Sequence, residues 1–160
     1  MQLVLAGGGA MDDPEGPMIM ERVRTEAEKD KDIFVLPLPP ASDIEINALQ
    51  RGSTVILQKS LKEGFGLTVS EALWKGKPVI AGAVGGIPLQ IAHKYSEILT
   101  QSIEGTGQWI KQVISAPDYA RRLGANGKEH IRNNFLITRH IKDYLLLFIS
   151  LFEQGDLVYL

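Results

Sequence analysis

Two glutamates, Glu63 and Glu71, stand eight positions apart in the stretch LKEGFGLTVSEALWKGKPVI. The first lies in a turn bracketed by Gly64 and Gly66. The second lies a full turn into the helix that the next residues are expected to form. A helix N-terminus presents N–H groups with no intrahelical acceptor and a partial positive charge, which suits a phosphate. Two glycines let the backbone approach a ligand closely. One carboxylate in the turn and one in the helix can then hold hydroxyls beside that phosphate. Phosphate next to hydroxyl ligands describes a nucleotide sugar or a sugar phosphate.

The neighbouring residues supply elements to position this turn. Thr54 to Gln58 is an extended run that leads into it, and Leu67 to Trp74 reads as the helix that leaves it, closed by Gly76. Leu3 to Ala6, Ile33 to Leu36, Val55 to Leu57 and Pro78 to Ala81 read as apolar strands, with Ile98 to Thr100 as a short fifth. Helices are expected over Met18–Asp30 and Asp43–Arg51, the latter with Ser42 as N-cap and Glu45 completing a capping box. Gly85-Gly86-Ile87-Pro88 opens a short helix through Ala92. Helices then run over Glu104–Ser115, from Pro117 onward, and over Ile137–Phe152.

Apolar strands alternating with helices imply a parallel sheet covered on both faces, with ligands at the carboxyl ends of the strands. The loops at that edge are Gly7–Gly16, Pro37–Pro40, Lys59–Gly66 and Gly82–Pro88. They hold most of the glycine and proline, so the glycines and Glu63 are expected to converge there.

The bulk numbers exclude several classes. A net charge of −2 gives no electrostatic case for a nucleic-acid partner. No cysteine is present, which rules out a disulfide scaffold and any cysteine-based metal site, and fits a reducing compartment. No signal peptide opens the chain, because the run Gln2 to Ala6 is too short, and the apolar run Tyr144–Phe152 is far short of a membrane span. A cytoplasmic protein is expected, with no membrane partner. At 160 residues the chain is one domain or a large piece of a bigger protein. Met1 is followed at once by a strand of the kind that is buried in a parallel sheet, so an excised domain is expected.

Other motifs have plainer readings. Gly7-Gly8-Gly9 lacks the spacing of a dinucleotide fingerprint and reads as a turn. Asp30-Lys31-Asp32 has a metal-type spacing but falls between a helix end and a strand start, at the wrong sheet edge, and reads as solvated. His130 and His140 read as surface or interface residues, and His93 lies near the ligand edge.

With these residues in view, the chain resembles the C-terminal, donor-binding half of the retaining glycosyltransferases built from two facing Rossmann-like domains. Glu63-Gly64-Phe65-Gly66-Leu67-Thr68-Val69-Ser70-Glu71 matches their Glu-x7-Glu signature. Asp12 to Gly16, Ile46 to Arg51, Val55 to Gln58, Trp74 to Pro78 and Ala83 to Ile87 are similar to the trehalose-forming members, the glycosyltransferring synthases and the retaining phosphorylases. The likeness runs from about Leu3 to Phe152.

The resemblance implies a three-layer α/β/α fold with a parallel sheet. Residues 1–160 would form a single nucleotide-sugar-binding domain with a C-terminal helix over 137–152. It places Glu63 as the catalytic group near a hydroxyl of the donor glucose. Gly64, Phe65, Gly66, Leu67 and Thr68 fall on the sugar and diphosphate, Glu71 on the ribose, and Leu36 and Leu38 beside the base. It implies a nucleotide-glucose donor, a sugar acceptor, an absent N-terminal acceptor-binding domain, and no metal or other cofactor. It departs in two places. The family's basic Arg–Lys pair does not precede Leu3, and His93-Lys94-Tyr95-Ser96-Glu97 stands where relatives carry a glycine-rich turn.

Two other functions stay open: a phosphorylase domain using glucose 1-phosphate and phosphate, and a non-catalytic nucleotide-, sugar- or partner-binding module. The helix 137–152 is apolar nearly all round. It reads either as a buried core helix or as one that packs on the other domain, and in the latter case this chain would self-associate through it.

Overall fold

The computed structural model describes residues 1–8, 14–91, 95 and 98–152. Its contacts divide the chain into two units, Met1–Leu49 and Gln50–Leu160. His93 lies outside the described residues, as do Gly9, Asp12 and Asp13.

The first unit begins with strand β1 (Leu3–Gly7), helix α1 (Gly16–Ala27) and strand β2 (Ile33–Pro37), and contains most of helix α2 (Asp43–Gly52). β1 and β2 pair in parallel from Leu3↔Ile33 to Gly7↔Pro37. α1 ends three residues earlier than its apolar spacing predicts. Lys29 N–H turns to Glu26 O and Asp30 N–H to Ala27 O, so i→i−3 bonds tighten the exit. Asp30 Oδ1 then accepts Asp32 N–H at 2.9 Å, which gives this aspartate a turn-forming role. Ile46 N–H closes the first turn of α2 on Ser42 O, while Ser42 Oγ donates to Pro39 O. The expectation that β1 is fully buried does not hold: Val4 and Leu5 are exposed. A two-stranded ladder offers little cover, and Ala27 is the one buried apolar side chain among the described residues of this unit.

The second unit holds strands β3 (Ile56–Gln58), β4 (Val79–Gly82) and β5 (Ile98–Thr100). Its helices are α3 (Leu67–Trp74), α4 (Ile87–Gln90), α5 (Ile103–Ser115), α6 (Pro117–Asn134) and α7 (Ile137–Phe152). The strands pair in parallel in the order β3-β4-β5. Every residue of β4 is buried, as a central parallel strand requires.

Alternation along β4 sorts the core into two faces. Val79 and Ala81 pack with Val69, Ala72 and Leu73 of α3 and with Ile87 and Ile131. Ile80 faces the other way and packs with Ile98, Val113 of α5, and Ala120 and Leu123 of α6. The fold is therefore α/β with parallel strands and a helical C-terminal region. Among the described residues the strands form two ladders rather than the one sheet expected.

Glycines set the fit of α3. Gly76, at φ +71°, closes the helix in a Schellman arrangement, with its N–H on Leu73 O and Lys77 N–H on Ala72 O. Gly124 of α6 lies against this cap, and a Cβ there would stand 2.0 Å from Gly76 O.

α7 has the predicted bounds but the buried-core reading is overturned: every one of its residues is exposed. His140 and Tyr144 stack edge-on along it at 4.7 Å. His130 is more enclosed than a surface histidine. Its ring packs on Phe135 and its Nε2 is buried with no hydrogen-bond partner among the described residues. No helix of the described residues is long and apolar enough to cross a membrane.

Candidate sugar-nucleotide site

β3 and β4 run in parallel, so the loops that follow them leave from one edge. Those loops, Lys59–Gly66 and Gly82–Gly86, meet backbone to backbone. Gly86 N–H donates to Gly64 O at 2.6 Å. A Cβ on Gly86 would stand 2.6 Å from the same oxygen, and one on Gly85 would stand 1.7 Å from Glu63 O. The two glycine turns noted in the sequence are therefore one structure, and the contact leaves no space for a side chain at Gly85 or Gly86.

Gly66 is the N-cap of α3, in the left-handed region at φ +88° and ψ +56°. Ile87 Cγ1 lies 2.9 Å from where its Cβ would be, so space as well as conformation demands glycine. Val69 N–H is the first to turn back into the helix, onto Gly66 O at 2.9 Å. The N–H groups of Gly66, Leu67 and Thr68 precede it and have no carbonyl of the helix to take. Leu67, Thr68 and Glu71 are exposed; Glu71 is four residues after Leu67, on the same face.

Both carboxylates are oriented, each by a glutamine. Glu63 Oε2 accepts from Gln58 Nε2 and from Ser60 Oγ, both at 3.2 Å, and Gln58 Nε2 also reaches Ser60 Oγ at 2.8 Å. Glu63 Oε1 accepts the Gly64 N–H at 3.1 Å, so this amide is held within the loop. Glu71 Oε2 accepts Gln50 Nε2 at 3.2 Å, and Lys75 Nζ donates to Gln50 Oε1. Lysine only donates and a carboxylate only accepts, so the Gln50 amide has one allowed orientation. Gln50 is buried, with 5% of its surface exposed.

Phe65 is half-exposed, and its ring packs on Phe135 with centroids 6.0 Å apart. Leu36 and Leu38 belong to the first unit. Leu36 is exposed in β2, and Leu38 N–H donates to Gly7 O at 3.0 Å. Gln50, Gln58, Ser60 and Gln90 did not stand out in the sequence. For Gln90 the one available signal was its place just after Gly85-Gly86-Ile87-Pro88.

Among the described residues the first amides of α3 have no acceptor and can take an anion, flanked by two oriented carboxylates that can accept hydrogen bonds from hydroxyls. The chain is similar to known proteins, among them the following. It is 46% identical over 152 residues to a trehalose synthase of Rubrobacter xylanophilus, covering 94% of this chain and 36% of that protein. It is 45% identical over 105 residues to a trehalose phosphorylase of Pleurotus pulmonarius, covering 62% of this chain and 14% of that one. A sucrose-phosphate synthase from Thermosynechococcus elongatus superposes with a TM-score of 0.77 at 27% identity, covering 94% of this chain and 38% of that structure. The chain spans about a third of the length of the trehalose synthases it matches. The family model described as Glycosyl transferases group 1 matches residues 1–130, and the chain belongs to that family.

Proposed function

We propose that this chain is the donor-binding part of a retaining glycosyltransferase that moves glucose from a nucleotide-glucose to a sugar acceptor, as a trehalose synthase does. The observation that carries the reading is the Gly66 cap: it opens α3 with amides that have no partner among the described residues, beside two oriented carboxylates. In this reading the amides of Phe65, Gly66, Leu67 and Thr68 bind the diphosphate and sugar, and Gly64 joins them once Glu63 releases its N–H. Glu63 holds a hydroxyl of the glucose. Glu71 holds the ribose. The family resemblance assigns Leu36 and Leu38 of the first unit to the base.

Cleavage of the donor's glycosidic bond passes through an oxocarbenium-like transition state while charge builds on the leaving phosphate. Preorganised amides at a helix N-terminus stabilise that charge without reorganising. Neither glutamate has to be a covalent nucleophile, and no metal enters the scheme. The acceptor sugar would be held by the part of the relatives' length that this chain does not span, and the intact protein would act in the cytoplasm.

The 45% identity to a trehalose phosphorylase supports a second reading, with glucose 1-phosphate and phosphate as ligands. Calorimetry with UDP, ADP and glucose 1-phosphate separates the two. Nucleoside diphosphate binding tighter than about 1 mM, lost in Glu71→Ala, is expected for the transferase. Binding of glucose 1-phosphate alone, indifferent to Glu71→Ala, would move the assignment to the phosphorylase. Binding of none of the three would leave a non-catalytic interaction module.

A further inference from the structure

Gln90, the last residue of α4, is fully buried and lies beside the glycine turn. Its Oε1 accepts from Ser70 Oγ of α3, and its Nε2 donates to Phe65 O. The main-chain carbonyl of Phe65 can only accept, so the nitrogen must face it, and the oxygen is left for the Ser70 hydroxyl. The amide is thus fixed in one orientation against the turn.

We infer that Gln90 is a positioning residue that turns the Phe65–Gly66 peptide so that its N–H faces an anionic ligand. In a planar trans peptide the C=O and N–H point in opposite directions. Gln90 draws the Phe65 carbonyl toward α4, so the Gly66 N–H points away from α4. The preceding peptide is held in the same way. Gly86 N–H takes Gly64 O at 2.6 Å, so the Phe65 N–H also points away from Gly86. Neither N–H has an acceptor among the described residues. Two successive carbonyls are gripped by one segment, Gly86–Gln90, and two successive amides are presented on the opposite side. Such consecutive N–H groups form an anion-binding concavity. Only glycine fits at position 66, where φ is +88° and a Cβ would stand 2.9 Å from Ile87 Cγ1.

The assignment of the anion to a sugar-nucleotide diphosphate rests on the proposed function, whereas the peptide orientation does not. The test therefore has two readouts on the 15N-labelled chain: the amide resonances of Phe65 and Gly66 without ligand, and their response to UDP. Gln90→Met keeps the length of the side chain and removes both polar contacts. Gln90→Glu sets a carboxylate against the Phe65 carbonyl. Both are expected to move the Gly66 resonance and to weaken UDP binding about tenfold. A folded Gln90→Met chain with unmoved Phe65 and Gly66 resonances overturns the inference. So does one whose peptides shift while UDP binds as in the parent. If the parent itself ignores UDP and ADP, the nucleotide reading fails, and the ligand-free resonances still decide the role of Gln90. Should both substitutions at 90 prevent folding, Ser70→Ala removes one anchor of the amide. A smaller shift at Gly66 is expected there, and no shift overturns the inference.

Discussion

The carbonyl oxygen of Glu63 lies 1.7 Å from the point where a Cβ on Gly85 would stand, and Gly85 adopts φ +56°. An L-side chain at Gly85 is excluded by both space and backbone conformation. Gly85→Ala should force the two turns apart and cost more than about 4 kcal/mol, the range reserved for a broken core or a strained backbone. Gly64 has nothing within 4 Å of its Cβ position, so Gly64→Ala should change stability by less than about 1 kcal/mol. Urea midpoints of the two variants give the comparison. Equal midpoints would mean that the turns are not locked together.

Glu71 is exposed while its partner Gln50 is buried, and the two should respond differently to substitution. Glu71→Gln should leave the melting temperature near that of the parent and weaken UDP or ADP binding about tenfold. Gln50→Leu removes the donor to Glu71 and the acceptor for Lys75, so it should weaken binding through the freed carboxylate. The double variant should lose less than the sum of the single losses, with a coupling of about 0.5–1.5 kcal/mol by calorimetry. Strict additivity would show that Gln50 does not act through Glu71.

Glu63 is expected to separate sugar from nucleotide recognition. Its carboxylate gathers three donors, Gln58 Nε2, Ser60 Oγ and the Gly64 N–H. Glu63→Gln keeps the shape and removes the charge. UDP affinity should stay within about threefold of the parent, while any preference for UDP-glucose over UDP disappears. Competition titrations measure both. A variant that keeps the preference would remove Glu63 from the sugar.

The bounds of α3 were legible because their causes are local: a glycine in the left-handed region at Gly66 and another at Gly76. The meeting of the Gly64 and Gly85 turns followed from parallel strands, whose succeeding loops share an edge. The glutamines were not legible. Composition reads Gln as a solvated residue, and Gln50 and Gln90 find their partners some twenty or more positions away. That the strands pair in parallel was legible, but their division into two ladders among the described residues was not, since alternating apolar runs give the number of strands and not their order. Two readings of α7 stood open for a similar reason, and only the buried-core one fails. An apolar run specifies a need for cover without saying where the cover comes from.

That exposed helix yields the last prediction. Leu145, Leu147, Phe148 and Phe152 each expose about half or more of their surface, and so does Ile141 one turn before Leu145. Apolar side chains on all sides of one helix make a patch that water does not tolerate in isolation. The chain alone should therefore self-associate through α7, with a sedimentation coefficient that rises with concentration. Leu147→Glu with Phe148→Glu should return it to a monomer. No side chain of α7 is buried, so the change should leave the melting temperature of the rest unaltered. A parent chain that sediments as a monomer at every concentration would contradict this, as would association that survives the two charges.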